Sequence, residues 1–458
     1  MVDYDLAIVG SGGAAFGAAI EARRREARVV MIEEAVVGGT CVNVGCIPSK
    51  TLLAAASARR TASSHPFAGV ATSAGPVDLA ALIGLKDELV AEMRQHKYLD
   101  LAEVHGFEIV AGHARFKDTA TLTIDGHDFR AGAYLVATGS EPTIPPLPGL
   151  AQADFLTSTT AMEQSSLPER LVTIGGGFVG LELSQLYARL GTRVTIIGRL
   201  APRAEPELAC RLRMILAGEG IDVVNARATA VESQGAAKVV HTDGGSTVDG
   251  DAVLVATGRH ARVDGLDLHA AGVEVDQAGF VAVEASLRTT NPRVFAAGDV
   301  TGGPQFVYVA AAQGHLAANN ALANSDDSID YTGLPSVVFT DPQLASAGLT
   351  EVQAIATGYD CDCRVIGLDT VPRALVEHDT RGAIKLIADR QTGKVLGVHV
   401  LAAGAGDIVL AGVYAIKFGL TIDDLAGTWA PYLTMSEALR LAAQSFTRPI
   451  DQLSCCAA

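Results

Sequence analysis

Two cysteines stand five positions apart in "GTCVNVGCIPSK", Cys41 and Cys46, and two more are adjacent in the terminal "QLSCCAA", Cys455 and Cys456. Paired thiols staple small secreted folds, exchange electrons, or ligate soft cations. With 458 residues the chain can bury a core without staples, and seven cysteines are an odd number, so the first use is excluded. Pro48 suits an early helical turn, which places Cys41 and Cys46 at a loop-to-helix transition. There the positive end of the helix lowers a thiol pKa and favours thiolate. Cys455 and Cys456, with small neighbours on a terminal segment, form an outward-reaching dithiol suited to soft cations. Cys361 and Cys363 in "YDCDCRV" read as two side chains on one face of a strand, and Cys210 reads as inert. The histidines show no paired-ligand spacing, so no zinc site is expected.

The elements that position these thiols follow a repeated order. "YDLAIVGSGGAAFGAAIEARRREARVVMIEE" reads as strand, Gly-rich turn, Ala-rich helix and strand, and "ERLVTIGGGFVGLELSQLYARLGTRVTIIGR", residues 169–199, repeats it. Two dinucleotide-type folds are predicted. In the first, Gly10, Gly12 and Ala15, with Gly13 between them, fit GxGxxA, where glycines let backbone N–H groups approach a pyrophosphate at a helix N-terminus. Glu33 ends the second strand, placed to bond a ribose hydroxyl. The second loop carries Gly175, Gly177 and Gly180, but Gly198 replaces the acid and Arg199 follows, with Arg203 nearby. That arrangement accommodates a 2′-phosphate, which favours NADPH over NADH. Each unit is followed by a strand ending in Ala-Thr-Gly, closing at Thr138 and Gly139 in the first and at Gly258 in the second.

"EPTIPPLPGL", residues 141–150, reads as a stiff Pro-rich linker, and the texture changes again after residue 264. From "SVVFTDPQLASAGL" onward, β-type runs precede helical "DIVLAGVYAIKFGL" and "MSEALRLAAQSF". The predicted fold class is α/β: two Rossmann-like dinucleotide-binding domains and a C-terminal α+β domain. A net charge of -16 and a pI near 5.1 argue against a nucleic-acid or anionic-membrane partner, either of which requires a basic face. The sequence shows neither a basic leader nor an apolar run approaching the about 18 residues of a membrane span, so a cytoplasmic protein is expected.

On "GGTCVNVGCIPSK", both Gly-rich fingerprints, the two "ATG" strands and "TTNPRVFAAGDVT", the sequence resembles the pyridine nucleotide-disulfide oxidoreductases, the family of glutathione reductase and dihydrolipoamide dehydrogenase. The resemblance implies FAD on the first loop, with Gly39, Thr40, Thr138 and Gly139 around it and Asp299 of "AAGDV" on its ribityl or phosphate region. It implies NAD(P)H on the second loop. Cys46 would be the thiolate facing the flavin, Cys41 the interchange thiol, and Lys50 with Glu182 an ion pair beside the flavin N5. The expected division is 1–145 and 265–333 for FAD, 146–264 for NAD(P)H, and 334–458 for an interface domain completing the site of a homodimer.

One segment departs from most of that family. A His-Pro-Thr-x-x-Glu run usually supplies an imidazole for thiol exchange; here "TWAPYLTMSEAL" sets Thr434 and Glu437 on the Thr and Glu and puts Tyr432 in place of the His. A Tyr near pKa 10 does not protonate a leaving thiolate as a His near 6.5 does, which disfavours organic disulfides as substrates. Redox pair, "PYLTM" and terminal Cys-Cys together resemble the members of the family that reduce mercuric ion. By that likeness Cys455 and Cys456 of a second copy take Hg(II) or Hg-thiol complexes from solvent and pass the metal to Cys41 and Cys46, with Tyr432 lining the inner site. Many of those enzymes add an N-terminal metal-binding domain, whereas this sequence opens on the FAD strand, so a partner protein or small thiol is expected to deliver the metal. The competing expectation is a dithiol-disulfide reductase of the thioredoxin or glutathione reductase type.

Overall fold

The apolar run Tyr4–Val9 is the middle strand of a five-stranded parallel sheet, ordered Val294–Ala296, Ala131–Val136, Tyr4–Val9, Val29–Glu33, Glu108–Ala111. Leu6 to Val9 are buried, as a parallel strand covered on both faces requires. In the computed structural model, which describes residues 2–235 and 237–452, the helix Gly13–Arg24 runs against the helix Val307–Ala323, and their alanines share a core with Leu6, Ile8 and Met31. A second, four-stranded parallel sheet follows the order Ile221–Val224, Arg193–Ile197, Arg170–Ile174, Ala252–Val255. The repeat read in the sequence is therefore a repeat in space, and in both sheets the strand leading to Ala-Thr-Gly lies parallel beside the first strand.

Two features differ from the sequence expectation. The segment read as a linker begins as a strand: Ser140–Pro142 pairs antiparallel with Arg259–Ala261, so the strands leaving the two sheets form a two-stranded ribbon. Pro142 is tolerated there because a ribbon has open edges where a missing N–H costs no ladder bond. Each nucleotide unit also carries a small antiparallel sheet, over 114–129 and 228–250, whose strands of three to seven residues are too short to signal by alternation.

The C-terminal part is a five-stranded antiparallel sheet ordered Pro335–Val338, Gln343–Gly348, Val395–Ala402, Ala383–Asp389, Cys361–Gly367, backed by the helices Ala405–Lys417 and Glu437–Gln444. The strands 383–389 and 395–402 are buried throughout, and they carry three polar side chains, Lys385, Asp389 at the strand end, and His399. Lys385 Nζ lies 2.8 Å from Glu205, 2.9 Å from Glu207 and 2.6 Å from Glu351. Glu205 and Glu207 stand at the start of the helix Pro206–Gly218, so this ion cluster pins the second nucleotide unit to the C-terminal sheet. No described helix is long and apolar enough to cross a membrane.

Candidate redox-active site

The expected loop around Cys41 is instead a short helix, Gly39–Val44, separated by Gly45 from the long helix Cys46–Ser63. A Cβ on Gly45 would sit 2.8 Å from Thr40 O, so only glycine lets the chain fold this sharply and bring both thiols together at the N-terminus of the long helix. Gly39, at φ +65°, performs a second close approach: its Cβ would lie 2.6 Å from Gly12 Cα. The thiol segment thus rests directly on the first Gly-rich loop.

Both thiols are half-buried, and they act on each other. The hydrogen bond from Cys41 holds the Cys46 sulfur down to about 7 against the cost of burial, and the Lys50 ammonium adds to the effect. The same bond, with burial, pushes the Cys41 thiol up. Lys50 lies one helical turn beyond Cys46, on the same face, and its Nζ is 2.7 Å from Glu182 Oε2. Glu182 comes from the helix Phe178–Leu190, which packs against the Cys46–Ser63 helix. Iodoacetamide labelling of the reduced protein is expected to modify Cys46 with a midpoint near pH 7, with Cys41 resisting until far higher pH; a midpoint at the free-thiol value of about 8.5 would contradict the geometry.

Two nearby groups were not legible beforehand. Tyr98 sits in a one-turn π-helix, Gln95–Leu99, edge-on to Phe16 at 4.8 Å, and burial with the charge of both cysteines pushes its hydroxyl up to about 12. A π turn leaves no periodic signal, so this Tyr looked like any helix residue. Arg259 follows the second Ala-Thr-Gly and donates from Nε to Ser140 Oγ at 2.7 Å, which donates to Asp299 Oδ2 at 2.8 Å. Burial lowers the Arg259 pKa, and the negative charges of Asp299, Glu141 and Cys46 oppose that. Its position after "ATG" was the available signal.

The nucleotide residues suit the groups expected of them. Ser11 Oγ at 2.5 Å and the Ala35 N–H at 2.9 Å hold the Glu33 carboxylate at the strand end. Gly10, Gly13 and the buried Ala15 carry the chain from the strand into its helix, and Gly175 and Gly180 do so in the second unit. Among the described residues, a Cβ beside Gly139, Gly177 and Gly258 would meet nothing within 4 Å, and beside Gly12 only Gly39 at 3.8 Å, leaving room at both loops for a pyrophosphate and its sugar. Thr40 is exposed on the thiol segment, and Thr138 donates to Arg262 O. Arg199 and Arg203 are exposed at the end of the second unit's strand, with no ion-pair partner among the described residues.

Tyr432 and Glu437 are not brought to the thiols within one chain. Glu437 is buried at the start of its helix on the C-terminal sheet, its Oε2 without a hydrogen-bond partner among the described residues, and Tyr432 is exposed on that side. Cys455 and Cys456 lie outside the described residues. Cys361 and Cys363 pack against Ala354, Ile387 and Leu396, as the structural reading expected, and Cys210 is exposed.

The coupled thiols against one of two Gly-loop sheets find their counterpart in known proteins. Residues 4–314 match the family described as pyridine nucleotide-disulphide oxidoreductase, and residues 334–443 match its dimerisation domain. The chain belongs to this family. Among its relatives is a mercuric reductase of Streptomyces lividans, 52% identical over 99% of this chain and 98% of that protein. One from Bacillus cereus is 47% identical, over 99% of this chain and 73% of that protein. Of solved structures, the Cu(II) complex of the HOCl-induced flavoprotein disulfide reductase RclA from Escherichia coli superposes with a TM-score of 0.88 at 28% identity, covering 98% of this chain and all of that one. LpdA from Mycobacterium tuberculosis gives 0.87 at 27%, covering 97% and 99%. Family membership carries with it the α/β fold with a dimerisation domain and the flavin and pyridine-nucleotide cofactors that the two loops fit.

Proposed function

We propose that this chain reduces Hg(II) to Hg(0) with electrons from NADPH, the metal being held by Cys41 and Cys46. The observation that carries this is the Cys46 thiolate, hydrogen-bonded by the Cys41 thiol, beside the Lys50–Glu182 ion pair, on a chain whose C-terminal segment offers Tyr432 where an imidazole would serve disulfide exchange. NADPH and FAD, when bound, supply the electron pair. The protein's own residues then have three tasks.

The Cys46 thiolate displaces one thiolate ligand of an incoming Hg(II) complex, and Cys41 displaces the second and gives up its proton to a departing thiolate, which leaves as the thiol. Two S–Hg bonds replace two others and no electrons move in that exchange. Because Hg(II) accepts two electrons without taking up a proton at the metal, an imidazole is dispensable at the moment of reduction. Gly10, Gly12, Gly13, Ala15, Glu33, Gly39, Thr40, Lys50, Thr138, Gly139 and Asp299 would hold FAD, and Gly175, Gly177, Gly180, Arg199, Arg203 and Gly258 would hold NADPH. The terminal Cys455 and Cys456, reaching from the second copy of a homodimer, collect the metal and hand it inward past Tyr432. The exposed Leu410, Tyr414 and Phe418, four residues apart along one helix to its C-cap, lie in the segment matching the dimerisation domain, an apolar stripe suited to that second copy.

The deciding measurement is NADPH oxidation with and without Hg(II) in millimolar small thiol, with volatile mercury trapped. Hg(II)-dependent oxidation with stoichiometric Hg(0) is expected; its absence, or vigorous turnover of glutathione disulfide or thioredoxin instead, removes the mercury reading. Replacing Cys455 and Cys456 with alanine should slow turnover of bulky Hg-thiol complexes by about tenfold or more while sparing small ones, because a tethered dithiol raises the local concentration of captured metal. Equal slowing of both would argue against a relay.

A further inference from the structure

Three residues along one stripe of the helix Phe178–Leu190 reach out to one short segment of the C-terminal part, residues 339–341. Glu182 Oε1 accepts from the Phe339 N–H at 2.9 Å, while its Oε2 binds Lys50 Nζ at 2.7 Å. Gln185 accepts from Asp341 N at 2.7 Å and donates to Asp341 O at 2.9 Å. Arg189 binds Asp341 Oδ2 at 2.7 Å and donates to Asp341 O at 3.1 Å. The segment is therefore latched to the helix that presents Glu182 to the thiols. The Phe339 ring uses that placement: Lys50 Nζ stands 4.6 Å from its centroid.

Resting on the reading of Cys41 and Cys46 as the redox pair, we propose that Phe339 is a positioning residue for the Lys50–Glu182 pair, its N–H fixing the carboxylate and its ring covering the ammonium. The physical reason lies in what Lys50 has around it. The Lys50 side chain is one-third exposed, with a carboxylate on one side of its ammonium and the Cys46 helix beneath it. A ring face on a further side attracts the cation and excludes water, which would otherwise screen its field at the sulfur. The charged and titratable groups facing Cys46 are Cys41 from the short helix, Lys50 from its own helix, Glu182 from the second nucleotide unit, Arg259 from the ribbon, and Tyr98 from the π turn. Of these, Lys50 and Glu182 are the two that Phe339 touches.

The test is a double-variant cycle on the rate of iodoacetamide labelling of Cys46 at one fixed pH, located by peptide mass, in reduced enzyme of normal FAD content. Phe339→Leu opens the ammonium to water and should slow labelling about threefold. Phe339→Tyr keeps the ring and should restore the wild-type rate, which loss of packing alone would not predict. In a Lys50→Met background Phe339→Leu should add almost nothing, because the ring then has no ammonium to cover. Independent, multiplying losses overturn the assignment, as do an unchanged rate in Phe339→Leu and failure of the tyrosine to restore it. Failure of the mercury reading would show separately, as wild-type enzyme with the same labelling cycle and no Hg(II)-dependent NADPH oxidation.

Discussion

Cys46→Ala is expected to lower Hg(II)-dependent NADPH oxidation by at least about 10³-fold while the purified protein keeps its FAD. The two thiols are unequal: the bond from Cys41 and the charge of Lys50 concentrate thiolate on Cys46, and the alanine removes both that nucleophile and one of two metal ligands. The Gly-rich loop, Glu33 and the Arg259–Ser140–Asp299 chain lie on other elements, and Lys50, one turn along the Cys46 helix, keeps its bond to Glu182. The check is a flavin-to-protein ratio measured beside the turnover rate. Loss of FAD in the variant would mean that the sulfur supports the fold of the first loop rather than the chemistry. Cys41→Ala makes a sharper comparison. It also deletes a ligand, but by removing the S–H bond to Cys46 it should move the Cys46 labelling midpoint upward from about 7.

Lys385→Met is expected to destabilise the protein by about 3–5 kcal/mol, read as a lowered urea midpoint at unchanged slope. Lys385 and Glu205 are each only 1% exposed. Burial alone would lower the lysine pKa, but the bonds from Glu205, Glu351 and Glu207 override it and raise the value, so the side chain is an ammonium at neutral pH. Without it, Glu207 and Glu351 have water to turn to, but Glu205 is left charged in the interior, holding the Glu351 N–H and standing 3.8 Å from His399. Burial lowers the His399 pKa, so that ring is no ready replacement cation. Adding Glu205→Gln to Lys385→Met should recover much of the loss, because the penalty comes from the unpaired charge more than from the missing stem. If the double variant is no better than the single, packing rather than charge is the source.

The short-range patterns carried well into three dimensions. Strand, glycine turn and helix form wherever their residues fall, because a parallel strand needs a continuous apolar run and a phosphate loop needs residues without a Cβ. Both repeats, the strands ending in Ala-Thr-Gly and the strand-then-helix order of the C-terminal part follow from such local rules, whereas the antiparallel order of its sheet came from the tertiary structure. Where the rule depends on a partner elsewhere in the chain, the reading stopped short. Ser140–Pro142 looked like a linker because its pairing strand, Arg259–Ala261, is more than a hundred residues away. The short helix at Cys41 was missed because its turn is closed by Gly45 against Thr40, a contact that no periodicity announces.

The same division runs through the site. By itself the sequence determined which groups are available: two thiols at a helix start, a lysine one turn on, two glycine loops, and a tyrosine in place of an imidazole. These are matters of residue type and spacing along one element, where the backbone fixes the geometry. Only the tertiary structure decided what each group feels. The Cys46 thiolate depends on Cys41 across a kink, on Lys50, and on a Glu182 that belongs to another sheet's helix and is itself held by the Phe339 backbone. Charge and desolvation act through space over a few ångströms, without regard to sequence separation, so the acidity of a sulfur is written in contacts between elements rather than in any one of them.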